Sequence, residues 1–169
     1  MRKAEIKRKT KETEIQLSLN LDGKGKSSIS TPFGMLTHML EQISKHASID
    51  LDIKVIGDTE TGSHHVVEDT AIVLGEAFDK ALGDRAGIER MADSTVPLDE
   101  SLSMVAIDLA GRGYHSVEIL PSNQFGDFTT DIARHFFETL AVETKMALHI
   151  KTISGKNEHH IIELSLIHI

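Results

Sequence analysis

His64-His65-Val66-Val67-Glu68 and His159-His160-Ile161-Ile162-Glu163 are one five-residue pattern written twice. Their surroundings repeat as well. His38-Met39-Leu40-Glu41 is matched by His135-Phe136-Phe137-Glu138. Thirteen residues after each histidine, Leu51-Asp52-Ile53-Lys54-Val55-Ile56 is matched by Leu148-His149-Ile150-Lys151-Thr152-Ile153. Upstream, Glu12 and Glu100 each stand eleven residues before the first glycine matched in Leu21-Asp22-Gly23-Lys24-Gly25 and Leu109-Ala110-Gly111-Arg112-Gly113. The duplication spans residues 8–82 and 96–163, joined by Gly83–Pro97.

Hydropathy patterning sets the elements. Ile15, Leu17, Leu19 and Leu21 alternate with polar residues as in a half-buried strand, and Leu51, Ile53 and Val55 do the same. Leu36, Met39, Leu40 and Ile43 follow helical spacing. Ser63 is placed to cap a helix from His64 to Leu82 with Val67, Ala71, Leu74, Phe78 and Ala81 on one face. The second half reads as strands at Met104–Leu109 and Val117–Leu120, a helix over Asp131–Ala147, a strand at Leu148–Ile153 and a last helix capped by Asn157. The expected fold is α+β: an internally duplicated unit of one sheet and two helices, residues 1–95 and 96–169, packed about a pseudo-twofold axis.

The repeated pattern has a chemical reading. On a helix, His64 and Glu68 lie four apart and His65 and Glu68 three apart, so either pair can converge. Adjacent residues differ by about a hundred degrees of rotation, so His64 and His65 cannot readily serve one ion. Two metal ions are expected, each collecting ligands from both halves or from neighbouring chains. A lone His-His pair at a helix start is ordinary solvated surface; six histidines in register are not. His46, His115, His149 and His168 lack a histidine counterpart or a ligand partner in the repeat, and Glu41 and Glu138 read as helix-surface pairs. Imidazole with carboxylate suits Mn, Fe, Co, Ni or Zn, and an octahedral site favours Mn or Fe.

Composition narrows the setting. The chain has 169 residues, 40% of them apolar, which suits one compact domain or two intimately packed halves. It has no cysteine, so thiolate ligands are excluded and a reducing cytoplasm fits. No apolar run approaches a membrane span. A formal net charge of −8 argues against nucleic acid as a partner, though not against a small phosphorylated substrate.

Further motifs carry a resemblance. Lys9-Thr10-Lys11-Glu12-Thr13, Leu21-Asp22-Gly23, His38-Met39-Leu40 and His64-His65 through Glu68-Asp69 come first. Gly87-Ile88-Glu89-Arg90, Pro97-Leu98-Asp99-Glu100, Gly111-Arg112, His135-Phe136-Phe137-Glu138 and Asn157 through Glu163 follow. In this order, from Arg8 to Glu163, the chain resembles the imidazole glycerol-phosphate dehydratases of histidine biosynthesis. The resemblance implies halves of the ribosomal S5 domain 2-like type. It implies dehydration of imidazole glycerol phosphate to imidazole acetol phosphate, with two divalent metal ions per active site, Mn2+ foremost. It carries metal ligation onto His38, His64, His65, Glu68, His135, His159, His160 and Glu163. It also carries substrate contact and proton transfer onto Glu12, and substrate contact onto Arg90 and Arg112. A homo-oligomeric shell of 24 subunits with sites between them is implied too. The chemistry fits the ligand set: the proton removed has no carbonyl beside it, so metal ions on the ring nitrogens would make the imidazole an electron sink.

Two departures set further expectations. Thr37 stands where the family usually has Asp, which would loosen the orientation of His38. Six residues follow Glu163, against fourteen from Glu68 to Leu82, so the last helix is expected to be truncated and the family's phosphate-binding Ser/Lys segment missing. Losing the counterparts of Leu74, Phe78 and Leu82 would forfeit about 5–9 kcal/mol of burial. Two rivals therefore stand: an assembly-competent but inactive metal-binding shell or regulatory protein, and a metallohydrolase.

Overall fold

Strands pair so that every alternating apolar segment turns the same face inward. In this computed structural model, which describes residues 1–60, 62–119 and 128–166, the chain folds into twelve elements. The first half contains β1 (Lys3–Lys9), β2 (Thr13–Asn20), β3 (Ser27–Ser30), α1 (Gly34–His46), β4 (Asp50–Gly57) and α2 (His64–Leu82). The second contains β5 (Met91–Leu98), β6 (Ser101–Asp108), β7 (Tyr114–Glu118), α3 (Thr130–Thr144), β8 (Ala147–Ser154) and α4 (Glu158–Leu166). The two sheets share one topology, β1-β2-β4-β3 and β5-β6-β8-β7. In each, the first three strands run antiparallel and the fourth pairs in parallel with its neighbour. The expected α+β duplication is therefore present.

Several bounds differ from the sequence reading, each for a physical reason. The segment expected to join the halves contains β5, so the second sheet begins at Met91 and the division at residue 95 falls inside a strand. Pro97 is tolerated there because β5 is an edge strand. The helix expected to reach Ala147 stops at Thr144, where Lys145 turns into the left-handed region at φ 56° and frees Ala147 to open β8. β7 begins earlier than Val117, at Tyr114, and Leu120 lies outside the described residues. β1 and β3 escape a hydropathy reading because charged and serine residues dominate them. His168 also lies outside the described residues.

The halves interlock through their helices. α2 lies on β1 and β2 of its own sheet and on α3 of the other half; α4 lies on β5 and β6 and touches α1. Val66, Val67, Ala71, Val73, Leu74 and Ala77 of α2 are all fully buried, because both flanks are covered. Gly75 permits the α2–α3 crossing: a Cβ there would stand 2.5 Å from the Cβ of Glu143. Phe136, Phe137 and Leu140 complete the same core with Leu36, Met39, Leu40 and Ile43 of α1.

Two polar clusters fasten this arrangement. At the start of α2, buried Asp69 accepts from Arg8 Nε at 2.9 Å and from the hydroxyl of Thr13. The repeat places Val96, Ser101 and Leu164 in the equivalent positions, so the second half lacks the residues of this ion pair. At the far end, Arg85 donates to the carbonyls of Leu109, Lys145 and Thr144 at 3.0, 3.1 and 2.7 Å and to Asp79 at 2.6 Å. Lys145 Nζ closes the cluster on Asp79 at 2.6 Å. A cation thus satisfies the carbonyls left open where α3 ends.

Asp69→Ala is expected to cost about 1–3 kcal/mol in urea unfolding, chiefly because the buried Thr13 hydroxyl loses its acceptor while Arg8 stays partly solvated. Arg8→Val with Asp69→Leu, which copies the second half, should recover most of that loss. Arg85→Ala should cost about 2–3 kcal/mol by the same measurement. Burial alone would raise the Asp79 carboxyl, but Lys145 and Arg85 together hold it below its ordinary value of 3.8. Its contribution is complete above that value and lost as pH falls through the lower folded one. Asp79→Asn should remove this acid-dependent component from a series of unfolding titrations.

Candidate metal centre

The N-termini of α2 and α4 each open on the repeated pattern, and each meets a histidine from the opposite half. His64 and Glu68 of α2 converge with His135 of α3; His159 and Glu163 of α4 converge with His38 of α1. Within each trio the ligand atoms lie within 4.8 Å of one another. The i,i+4 pair converges in both, with His64 Nε2 3.8 Å and His159 Nε2 3.3 Å from the carboxylate. The histidine from the other half closes the triangle at 3.4 Å for His135 to Glu68 and 3.7 Å for His38 to Glu163. The imidazoles stack in both trios, at 4.8 Å and 10° for His64 with His135 and at 5.3 Å and 19° for His38 with His159.

These separations suit a shared ion. Donors about 2.1 Å from one metal stand at most about 4.2 Å apart, so gaps of 3.3–3.8 Å between imidazole and carboxylate match a common centre. His135 Nε2 adds a second sign, since it is shut from solvent and, though 3.4 Å from Glu68, makes no hydrogen bond among the described residues. A buried ring nitrogen without a proton partner is costly unless a further group uses its lone pair. The donor set of two imidazoles and one carboxylate fits a divalent ion of the Mn, Fe or Zn kind.

Of the eight ligand positions read from the sequence, six enter the trios. His65 and His160 do not, as the angular argument for adjacent residues requires. Their rings stand edge-on to those of His64 and His159, at 5.9 Å and 6.3 Å. His160 meets Glu100 instead, its Nδ1 3.0 Å from Oε2. The other Glu100 oxygen accepts from the Asn157 N–H at 2.9 Å and the Ser101 hydroxyl at 2.9 Å. Asn157 caps α4 through its side chain, 3.0 Å from the His159 N–H. The Asn157 N–H first, then His160 and Ser101, bring the Glu100 carboxyl from 4.5 down to about 2.

The remaining substrate positions divide between the two ends of the sheets. Glu12 sits in the β1–β2 turn, at the same end as the trios, and its main-chain carbonyl accepts from the Asp58 N–H at 3.0 Å. Among the described residues its carboxylate makes no hydrogen bond. Arg90 and Arg112 lie at the other end of the second sheet, next to Met91 and beside the turn into β7. Seven strand steps along β5 amount to roughly 23 Å. Arg90 spends its fork on Asp108 at 2.6 and 2.8 Å, which raises its pKa further; Arg112 makes no hydrogen bond among the described residues. Thr37 bonds to the Thr31 hydroxyl at 2.9 Å, and among the described residues its side chain makes no hydrogen bond to His38. Glu138 pairs with His115 at 3.7 Å and enters neither trio. The sequence reading assigned no structural role to Asp69 or Glu100; Asp69 directly after the first ligand pattern, and Glu100 as the repeat counterpart of Glu12, were the available signals.

Known proteins share this architecture. The profile of the family described as imidazoleglycerol-phosphate dehydratase matches residues 31–167. The dehydratase of Dehalococcoides mccartyi strain 195 is 49% identical over 96% of this chain and 82% of its own length. That of Methanococcoides burtonii is 48% identical over 96% of this chain and 85% of its own. The crystal structure of the Staphylococcus aureus enzyme superposes with a TM-score of 0.86 at 31% identity, covering 98% of this chain and 91% of that one. The Pyrococcus furiosus structure, in complex with (S)-C348, gives 0.84 at 30% identity over 96% and 88%. The chain belongs to the imidazoleglycerol-phosphate dehydratases, a family of hydro-lyases.

Proposed function

We propose that this chain is a cytoplasmic enzyme that dehydrates D-erythro-imidazole glycerol phosphate to imidazole acetol phosphate and water. It would do so with two divalent ions, Mn2+ foremost. The observation that carries the metal reading is the pair of matched trios, each built across the two halves, with an orphaned nitrogen on His135. His64, Glu68 and His135 would hold one ion, and His38, His159 and Glu163 the other. When bound, such ions supply Lewis acidity that favours loss of a proton from the substrate's imidazole side. Glu12 is the proton-transfer group of this reading: it stands at the trio end of the molecule with a solvated, uncommitted carboxylate.

The substrate phosphate needs a cationic fork, and Arg112 is the freer of the two arginines. Both lie a full strand length from the trios of their own chain. A site that uses them together with a trio must draw on a neighbouring copy, so a homo-oligomer with sites between subunits, 24 in the shell, is part of the proposal. His65 and His160, outside the trios, are then available to an ion held by a neighbour.

The test is metal content after loading with Mn2+, followed by assay of the dehydrated product. About two tightly held ions per chain in a large assembly, with dehydration and no phosphate release, support the reading. Little retained metal, or release of inorganic phosphate, overturns it, the latter in favour of a metallohydrolase. Metal without turnover would favour an inactive shell. His135→Ala is expected to lose one ion and keep the other. Glu12→Gln should keep both ions while turnover falls by about 10²–10⁴-fold. Co-assembly of two inactive variants, Glu12→Gln and Arg112→Ala, should regain part of the activity, because some sites then receive both intact residues.

A further inference from the structure

The repeat puts Glu12 and Glu100 in equivalent places, and the fold gives them opposite surroundings. Glu100 is held on one oxygen by the Asn157 N–H and the Ser101 hydroxyl, each at 2.9 Å. Glu12 has neither restraint. Its counterpart to Asn157 is Gly62, whose N–H bonds instead to the Thr59 carbonyl at 3.3 Å. Its counterpart to Ser101 is Thr13, whose hydroxyl is turned to Asp69. Leu164 occupies the position equivalent to Asp69 and offers no side-chain acceptor, so the Ser101 hydroxyl stays with Glu100. Two differences between the halves, one in a main-chain N–H and one in a hydroxyl, thus tie down one glutamate and leave the other free.

We infer that Glu100 is a positioning residue for His160: its carboxylate accepts the hydrogen bond from Nδ1–H and leaves the Nε2 lone pair facing outward for an ion shared with a neighbouring chain. The inference rests on the metal-dependent reading above. Its geometry is specific. With one oxygen committed to the start of α4, the other faces the ring at 3.0 Å. An ionised carboxylate has no proton to give, so Nδ1 must carry it and the lone pair falls on Nε2. The nearest acid to that nitrogen, exposed Asp99, is 4.0 Å away, beyond hydrogen bonding. A carboxylate behind an imidazole is how many metal sites orient a histidine ligand. His65 has no equivalent partner among the described residues, so the two non-trio histidines differ in how firmly they are aimed.

Two readouts test this. The first is the ring 15N–1H correlation spectrum of metal-free protein, with His160 assigned through His160→Ala. We expect the Nδ1–H form in the natural chain and a switch towards Nε2–H in Glu100→Gln. In that variant the amide oxygen still accepts from Asn157, while the amide nitrogen faces the ring. The second is Mn2+ titration read by electron paramagnetic resonance. Glu100→Gln should weaken one class of ion by about 10–100-fold, towards the level of His160→Ala, and Glu100→Asp should recover part of it. A natural chain with His160 in the Nε2–H form overturns the inference, even if Glu100→Gln fails to fold. So does a folded Glu100→Gln that binds Mn2+ like the natural chain while His160→Ala does not. A natural chain that binds no Mn2+ instead overturns the metal reading, and the spectrum still decides the role of Glu100.

Discussion

Each ligand trio is divided between two halves of the chain, so the site exists only where a helix of one half crosses a helix of the other. α2 brings an imidazole and a carboxylate one turn apart, and α3 must present His135 within about 4 Å of both. The same demand falls on α4 and α1. A shift of one helix by a single turn, 5.4 Å, would separate the donors beyond the reach of one ion. The close crossing at Gly75 and the buried faces of α2 and α3 are therefore as much a part of the site as the ligands. So is the Arg85 cluster, which ties the ends of both helices to the segment that joins the halves.

Duplication supplies the matched trios, and small departures from it make the halves unequal. Asp69 and Leu164 occupy the same place in the repeat, at the first buried turn after the ligand pattern. The carboxylate draws in Arg8 and the Thr13 hydroxyl; the leucine draws in neither. Downstream of that difference, Glu12 stays solvated and chemically available, whereas Glu100 accepts several hydrogen bonds at the start of α4. A carboxylate in such a cradle is a poor proton carrier near neutral pH and a good fixed anion. Two copies of one residue thereby become suited to two tasks.

The arginines make a different point about scale. Arg90 and Arg112 share the end of the second sheet with the glycine corner, while the trios share the opposite end with Glu12. A strand of eight residues is too long for any side chain to span. On the proposed reading, the groups assigned to one substrate are thus dispersed over one chain, and association of copies would gather them. The exposed His65 and His160, adjacent to ligands yet outside the trios, are dispersed in the same sense.

Much of this was legible in the residues themselves. The repeat identified the duplicated architecture, the helical spacing paired His64 with Glu68 and His159 with Glu163, and rotation per residue set His65 and His160 apart from their neighbours. These follow from local geometry, which the order of residues determines. β1, β3 and β5 were not legible, because a strand whose outer face is charged or polar shows little apolar period, and a Pro-containing edge strand reads as a linker. Tertiary structure alone decided which half supplies the third ligand, since that depends on packing between helices some seventy residues apart in sequence for His64 and His135. It also decided the unequal fates of Glu12 and Glu100, because a carboxylate's role is set by the donors that folding brings to it.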